Sequence, residues 1–195
     1  MSMNMSERVA VVTGATSGIG QAIAEALAAA GAAVVICGQN PARGQAVVEK
    51  IVAAGGRAIF QPADVRQGEE VRRLMTAAQE TYGRLDILVN NAGLQHVAPL
   101  TEFPEEKWDQ LVGIMLTGAF LCTKYALPAM TAHKWGRIIN IASQLARIGA
   151  PYKAAYVAAK HGLLGLTRVT ALEGAPYHIT ANALCPSYVR TPLVE

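Results

Sequence analysis

The stretch from Val9 to Gly20, VAVVTGATSGIG, decides the fold. Val9 to Thr13 is a short apolar, β-branched run of the kind that fills a buried strand, and Ile19, Ile23, Ala26, Leu27 and Ala30 then recur at helical spacing until Gly31 ends the pattern. Between strand and helix stand Gly14, Gly18 and Gly20. Glycines at that junction let the backbone turn tightly and approach a pyrophosphate, whose charge is met by the amides at the helix N-terminus. An ordinary strand-to-helix turn also uses glycine. The weight therefore comes from what surrounds the motif.

The unit repeats along the chain. Ala33 to Cys37 reads as a strand, Arg43 to Ala54 as a helix closed by Gly55 and Gly56, and Ala58 to Gln61 as a strand again. Val71, Leu74, Met75 and Ala78 stripe a helix ended by Gly83; Leu85 to Val89 is a buried strand; Trp108 to His133 is one long helical stretch. Arg137 to Ile141 is the fifth strand, Tyr156 to Leu172 a helix, and Ile179 to Leu184 the sixth strand. Apolar strands alternating with helices imply a parallel sheet covered on both faces. The expected architecture is a single α/β domain over residues 1–195, a Rossmann-type doubly wound sheet in three layers, with ligand at the carboxyl ends of the strands. Residues 1–7 read as a disordered or artificial leader. The chain stops at Glu195 just after Thr191-Pro192, before any new periodic segment begins, so a C-terminal strand and lid are expected to be missing and activity in doubt.

Composition narrows the function classes. With 195 residues, 52% hydrophobic and 16% charged, there is material for one substantial core. The net charge of +3 comes from 17 basic and 14 acidic residues without a basic block, which argues against nucleic acid. Val9 to Val12 is too brief for a signal-peptide core, and Leu111 to Cys122 stops at Lys124, short of the roughly 20 residues a membrane span needs. Cys37, Cys122 and Cys185 lack metal-ligand spacing and read as small core hydrophobes of a reducing, cytoplasmic compartment; no metal site is expected.

Tyr156 and Lys160 share one helix face at a four-residue offset. A phenol with a pKa of about 10 is a poor acid or base at neutral pH, and a neighbouring ammonium is the simplest way to stabilise its phenolate. Either residue alone is commonplace. Ser143, thirteen positions upstream and just beyond a strand, adds a hydroxyl at the carboxyl end of the sheet.

Thr13-Gly14-Ala15-Thr16-Ser17-Gly18-Ile19-Gly20, Ser143 and the Tyr156/Lys160 pair together resemble the short-chain dehydrogenase/reductase family, and so does Asn90-Asn91-Ala92-Gly93. The resemblance spans Val9 to Thr191. It implies nicotinamide-dependent hydride transfer with Ser143, Tyr156 and Lys160 as the catalytic set. It further implies cofactor contacts at Gly14, Thr16, Ser17, Gly18, Ile19, Gly20, Asn91, Ala92, Gly93, Tyr156, Lys160, Pro186, Val189 and Thr191. Asp64-Val65 stands where such enzymes meet the adenine amino group, although Asp64 also reads as a helix N-cap. Tetramers through the long central helices are usual for the family.

The second strand runs into Gly38-Gln39-Asn40, with neither a carboxylate for the ribose hydroxyls nor an adjacent cation for a 2′-phosphate; Arg43 follows three residues later, on the next helix. NAD is expected over NADP. Asn90 to Pro99 (NNAGLQHVAP), Glu102 to Trp108, Trp135 to Ser143 (WGRIINIAS) and Pro151 to Gly162 (PYKAAYVAAKHG) resemble the bacterial D-3-hydroxybutyrate dehydrogenases. That implies a small hydroxyacid or ketoacid substrate at Gln95, Ser143, Gln144, Lys153 and Tyr156, with Lys153 as the cation facing its carboxylate. His96 and His161 have no paired ligand or carboxylate and read as packing or surface residues.

Three departures bear on this expectation. Gln144 stands where such enzymes carry a histidine, Met115 where many carry an asparagine that holds a proton-relay water, and Ser187 where a glycine usually follows Pro186. A thioether donates no hydrogen bond. Two other readings remain open: an NADP-dependent reductase of a neutral sugar, polyol or 3-oxoacyl substrate, and a truncated core that binds nucleotide without turnover.

Overall fold

The computed structural model describes residues 4–189, and the structural statements below concern those residues. The chain alternates β1 (Val9–Thr13), α1 (Gly18–Ala29), β2 (Ala33–Gly38), α2 (Pro41–Ala53), β3 (Arg57–Pro62), α3 (Gly68–Tyr82) and β4 (Ile87–Asn90). It continues through α4 (Glu105–Val112), α5 (Gly118–Ala132), β5 (Gly136–Ile141), α6 (Ala154–Gly174) and β6 (Ile179–Leu184). The sheet runs in the order β3-β2-β1-β4-β5-β6, and each pair of neighbours is parallel. Strand order reverses between β1 and β4, which opens a crevice beyond their carboxyl ends.

Alternation along each strand explains why both sheet faces are covered. Val9, Val11 and Leu88 point into a core shared with Leu74 and Met75 of α3 and Cys122 and Met130 of α5. Ala10, Val12 and Val89 point the other way, onto Ala24 and Ala28 of α1 and Val47 and Ile51 of α2. Successive side chains of a strand face opposite sides, so an unbroken apolar run is what a strand buried on both faces requires.

Four sequence expectations are corrected by the structure. The described part of the leader is docked: the Met5 amide donates to the Ala30 carbonyl at 2.8 Å and its side chain lies against the α1/α2 core. The long central stretch is not one regular α-helix, because a π-helical segment, Gly113–Thr117, separates α4 from α5. The whole run, Glu105–Ala132, is 28 residues long and holds an 18-residue window with a mean hydropathy of 1.4, long and apolar enough to cross a membrane by length and composition, beyond what Leu111 to Cys122 suggested. Its apolar residues Leu111, Met115, Cys122, Ala126 and Met130 are instead buried within this domain. Finally, Cys37 and Cys122 are core residues as expected, but Cys185 is exposed.

The amino-terminal pole of the sheet is closed by Asp86. Its carboxylate, fully buried, accepts the Val9 amide at 2.9 Å, Arg84 Nε and Nη2 at 2.7 Å each and Arg8 Nη1 at 3.0 Å. Burial pushes its pKa up, but Arg84, the Val9 amide and Arg8 together outweigh that and hold it below the usual carboxylate value. Trp135 lies between Arg8 and Arg137, with the two guanidinium carbons 3.7 and 4.3 Å from its ring centre.

Candidate active site

Construction of the site begins at the turn between β1 and α1. Gly14 and Gly18 take φ of +63° and +56°, a region open to glycine, and a Cβ on Gly14 would lie 2.8 Å from the Ala92 Cα. The turn is tied to the end of β4: Thr13 Oγ1 accepts the amides of Asn91 and Ala92 at 3.0 and 3.1 Å. Asn91 Nδ2 in turn donates to the carbonyls of Thr13 and Gly14. Helix α1 carries no acidic residue in its first turn, and the side chain of its N-cap Ser17 makes no capping bond. Its amides and positive dipole end are thus left for an external anion.

From this turn a cavity of about 440 Å³ extends across the carboxyl ends of the strands to α6. That is within the usual range for a small-molecule site. Gly14, Thr16, Ser17, Gly18 and Ile19 form one end. Ser143, Tyr156 and Lys160 form the other, together with Gln95, Gln144 and Lys153. Asn91, Gly93, Pro186 and Val189 also reach the wall.

Each polar group at the far end is held by its element. Ser143 follows β5 and is buried; its Oγ accepts the Leu145 amide at 3.1 Å. Lys153 is the N-cap of α6, and Tyr156 stands in the first turn of that helix. Lys160, one turn further on, is buried and donates to the Ile141 carbonyl at 2.6 Å, with Nζ 5.6 Å from the Tyr156 ring centre. Burial lowers its pKa to about 8, slightly opposed by the Cys185 thiol. At neutral pH it still carries its proton. The ammonium therefore sits beneath the phenol ring and is anchored on β5.

Other expected residues stand apart from this wall. Asp64, Val65 and Ala92 do not line the large cavity, and neither does Gly20, whose hydrogens face the Gly14 carbonyl and Asn91 Nδ2. Asp64 is no helix cap, since α3 begins at Gly68 with Gln67 as its cap. Its carboxylate binds Arg66 through Nε at 3.0 Å and Nη2 at 2.5 Å, and this ion pair holds its pKa below the usual value. Val65 is buried against Gly118. Thr191 lies outside the described residues. His96 packs edge-on against Phe103 at 5.3 Å, and His161 is exposed with Nδ1 3.0 Å from the Val157 carbonyl.

Arg43 is the opposite case. Asn40 caps α2 by accepting the Arg43 amide, and this places the Arg43 side chain on the cavity wall beside the glycine turn. A cap residue three positions ahead was the signal that could have found it. Leu94, Leu145, Ser187 and Tyr188 also line the cavity. They follow Gly93, the Ser143/Gln144 pair and Pro186 in loops or, for Leu145, a single 3-10 turn, where no periodicity marks which side chains turn inward.

A glycine-cradled helix N-terminus at a switch point, facing a serine, a tyrosine and a buried lysine across one cavity, defines a nucleotide-dependent oxidoreductase. The family model described as short chain dehydrogenase matches residues 8–195, and the chain belongs to that family. It is 48% identical over 188 residues to the D-beta-hydroxybutyrate dehydrogenase of Cupriavidus necator, covering 96% of this chain and 73% of that one. The protein of the same name from Rhizobium meliloti is 45% identical over 190 residues, 96% and 74% of the two chains. Among solved structures, a short-chain alcohol dehydrogenase candidate from Sinorhizobium meliloti 1021 superposes with a TM-score of 0.95 at 40% identity, covering 100% of this chain and 77% of that one. The chain is an oxidoreductase of this family, and the family uses a nicotinamide cofactor.

Proposed function

We propose that this protein is an NAD-dependent dehydrogenase of a small 3-hydroxyacid, of the 3-hydroxybutyrate kind. The observation that carries the reading is one cavity walled at one end by the glycine turn and at the other by Ser143, Tyr156, Lys160 and the cation Lys153. The amides of α1 and of the glycine turn hold the cofactor's diphosphate, and Asn91, Gly93, Pro186 and Val189 border the rest of it; Asp64, Val65 and Thr191 belong to the family pattern of cofactor contacts. The nicotinamide ring, when bound, supplies the carbon that accepts or gives hydride. The chain's own residues manage the substrate oxygen and its proton. Because Ser143 Oγ accepts the Leu145 amide, its own proton remains for the substrate oxygen. Tyr156 as phenolate takes the hydroxyl proton in oxidation and as phenol gives it back in reduction, and the Lys160 ammonium stabilises the phenolate that precedes the first step and follows the second. Lys153, Gln95 and Gln144 hold the carboxylate, Lys153 through a charge-assisted bond and the amides through neutral ones. The protein works in the cytoplasm as a homotetramer, a state favoured by Phe120 on α5 and Leu172 on α6, both apolar and exposed.

One observation favours a second reading. Arg43 on the wall beside the glycine turn offers a cation to a 2′-phosphate, as an NADP-dependent reductase of a neutral or 3-oxoacyl substrate would need. Two features favour NAD. Arg43 is exposed, so a single guanidinium there compensates a phosphate dianion only weakly. Arg66, the other guanidinium near that end, is engaged by Asp64. The test is turnover of 3-hydroxybutyrate with each cofactor, alongside titration of both nucleotides. NAD should bind more tightly and support the faster rate. Tighter NADP binding that collapses in Arg43→Ala, with no oxidation of 3-hydroxybutyrate, would establish the second reading.

A further inference from the structure

Three residues other than glycine take a positive φ among those described: Lys134, Tyr152 and His178. Lys134 follows α5, and His178 ends the short 3-10 turn after α6, positions where a left-handed residue commonly closes a helix. Tyr152, with φ of +66°, instead stands before a helix, next to Lys153, the N-cap of α6. Tyrosine is ill suited to this region, which crowds its Cβ and is ordinarily left to glycine or asparagine. Its side chain is 59% exposed, so packing of the ring does not account for the conformation. Strain of this kind persists where the surroundings impose it, and it clusters at functional sites.

The Tyr152 backbone is engaged on both sides. Its carbonyl accepts the Ala98 amide at 3.1 Å, and among the described residues this is the one backbone hydrogen bond that ties 93–98 to another part of the chain. Gln95, on the cavity wall, belongs to that loop. The edge-on contact of His96 with Phe103 is a second anchor of the loop, without a hydrogen bond. Lys153, on the other side, is fixed by α6: its carbonyl accepts the Val157 amide at 2.9 Å. Its Nζ lies 6.0 Å from the ring centre of Tyr188, another residue of the cavity wall. A residue's φ and ψ aim its carbonyl. With Lys153 held by α6, the left-handed turn at Tyr152 therefore places the Ala98 amide and, three residues before it, Gln95.

We propose that Tyr152 is a positioning residue, which through its backbone sets the spacing between Lys153 and Gln95, the two arms that grip the substrate carboxylate from α6 and from the loop after β4. The inference rests on the proposed carboxylate role of those two side chains. The two oxygens of a carboxylate are fixed relative to each other, and hydrogen bonds weaken steeply as they bend, so donors from separate elements act together only when the elements are held in register. Gln144 brings no charge to the same group, which leaves more of the grip to this pair. An uncharged alcohol presents no carboxylate and is indifferent to the spacing.

Tyr152→Ile and Tyr152→Asn both remove the ring, but a β-branched residue resists a positive φ and asparagine accepts it. Tyr152→Ile should raise KM for 3-hydroxybutyrate about tenfold, the lower end for a charge-assisted bond, and change KM for an uncharged secondary alcohol by less than about twofold. NAD affinity and kcat should stay the same. Amide hydrogen exchange at Ala98, followed by NMR, should quicken by about tenfold or more. Tyr152→Asn should keep the acid KM near its wild-type value. Ala98→Pro gives a second route should Tyr152→Ile fail to fold: it removes the amide, leaves Tyr152 in place and stands before Pro99, where the backbone is already biased to a φ that proline accepts. It should raise the acid KM as Tyr152→Ile does. An acid KM unchanged in Ala98→Pro, or raised as much by Tyr152→Asn as by Tyr152→Ile, overturns the positioning role. If KM rises equally for acid and alcohol while exchange at Ala98 quickens, Tyr152 still links the two arms and the carboxylate reading of the site fails.

Discussion

At the scale of single residues, chemistry and binding are separable at the far end of the cavity. Tyr156 contributes a hydroxyl to the chemistry and a ring to packing, and its ring belongs to the small cluster with Leu111 and Met115. Tyr156→Phe keeps the ring. It should reduce kcat by at least about 10²-fold, the lower end for a general acid–base group, with nucleotide affinity unchanged. A variant that kept more than a tenth of the rate would remove Tyr156 from the mechanism. Lys153, by contrast, acts only on a charged substrate. Lys153→Met should raise KM for a 3-hydroxyacid by about ten- to a hundredfold, the worth of a charge-assisted bond of roughly 1.5–3 kcal/mol, and leave an uncharged secondary alcohol nearly unaffected. Gln144→His should improve acid binding, most visibly below about pH 6.5, where imidazole is protonated. Equal losses for acid and alcohol, with no gain from Gln144→His, would point to the neutral-substrate reading.

At the scale of elements, the glycine turn shows how a helix start becomes a binding site. Gly20 lies inside α1, where alanine would ordinarily be favoured by about 1 kcal/mol. Here sterics decide the sign: a Cβ would stand 2.3 Å from the Gly14 carbonyl oxygen and 2.4 Å from Asn91 Nδ2, the atoms that tie the turn to β4. Overpacking of this kind costs about 1–3 kcal/mol, more than the propensity gain. Gly20→Ala should lower Tm by up to about 10 °C and weaken nucleotide binding about tenfold or more, read by thermal melts and nucleotide titration. An unchanged nucleotide Kd would mean the turn does not cradle the diphosphate. β1 and β2 were legible as unbroken apolar runs and the other strands as short segments rich in apolar residues between helical patterns, and β1 and β6 begin and end where the pattern places them. The Gly113–Thr117 segment was not, because its residues are as apolar as those of the helices it joins and the change is in the hydrogen-bond ladder. Likewise Tyr156 and Lys160 share a face by local spacing, whereas the approach of Arg43 to the glycine turn depends on how α2 is set against β1, a long-range relation that periodicity does not encode.

At the scale of the whole molecule, function and stability occupy opposite poles of the sheet. The carboxyl ends carry the cavity and its left-handed glycines; the amino ends carry the Asp86 cluster, far from any group proposed to touch substrate or cofactor. Asp86 joins three strands: its carboxylate takes the Val9 amide of β1, and its own carbonyl takes the Arg137 amide of β5 just before β4 begins. Asp86→Asn removes the charge from a buried site whose arginines are partly exposed, so they can turn to water, and the loss should be about 2–3 kcal/mol, or roughly 5–10 °C in Tm. The pH dependence has a definite sign. The folded pKa lies below the unfolded value of about 3.9, so this stabilisation is complete well above pH 3.9, begins to fade below about pH 5, and is lost as pH falls through the folded pKa. Thermal melts of wild type and Asp86→Asn should therefore differ fully at pH 7 and converge as pH drops below 5, while nucleotide affinity and kcat at pH 7 stay the same in both. A gap in Tm that persisted unchanged to pH 3.5 would mean that the shape of the side chain, and not its charge, holds this pole together.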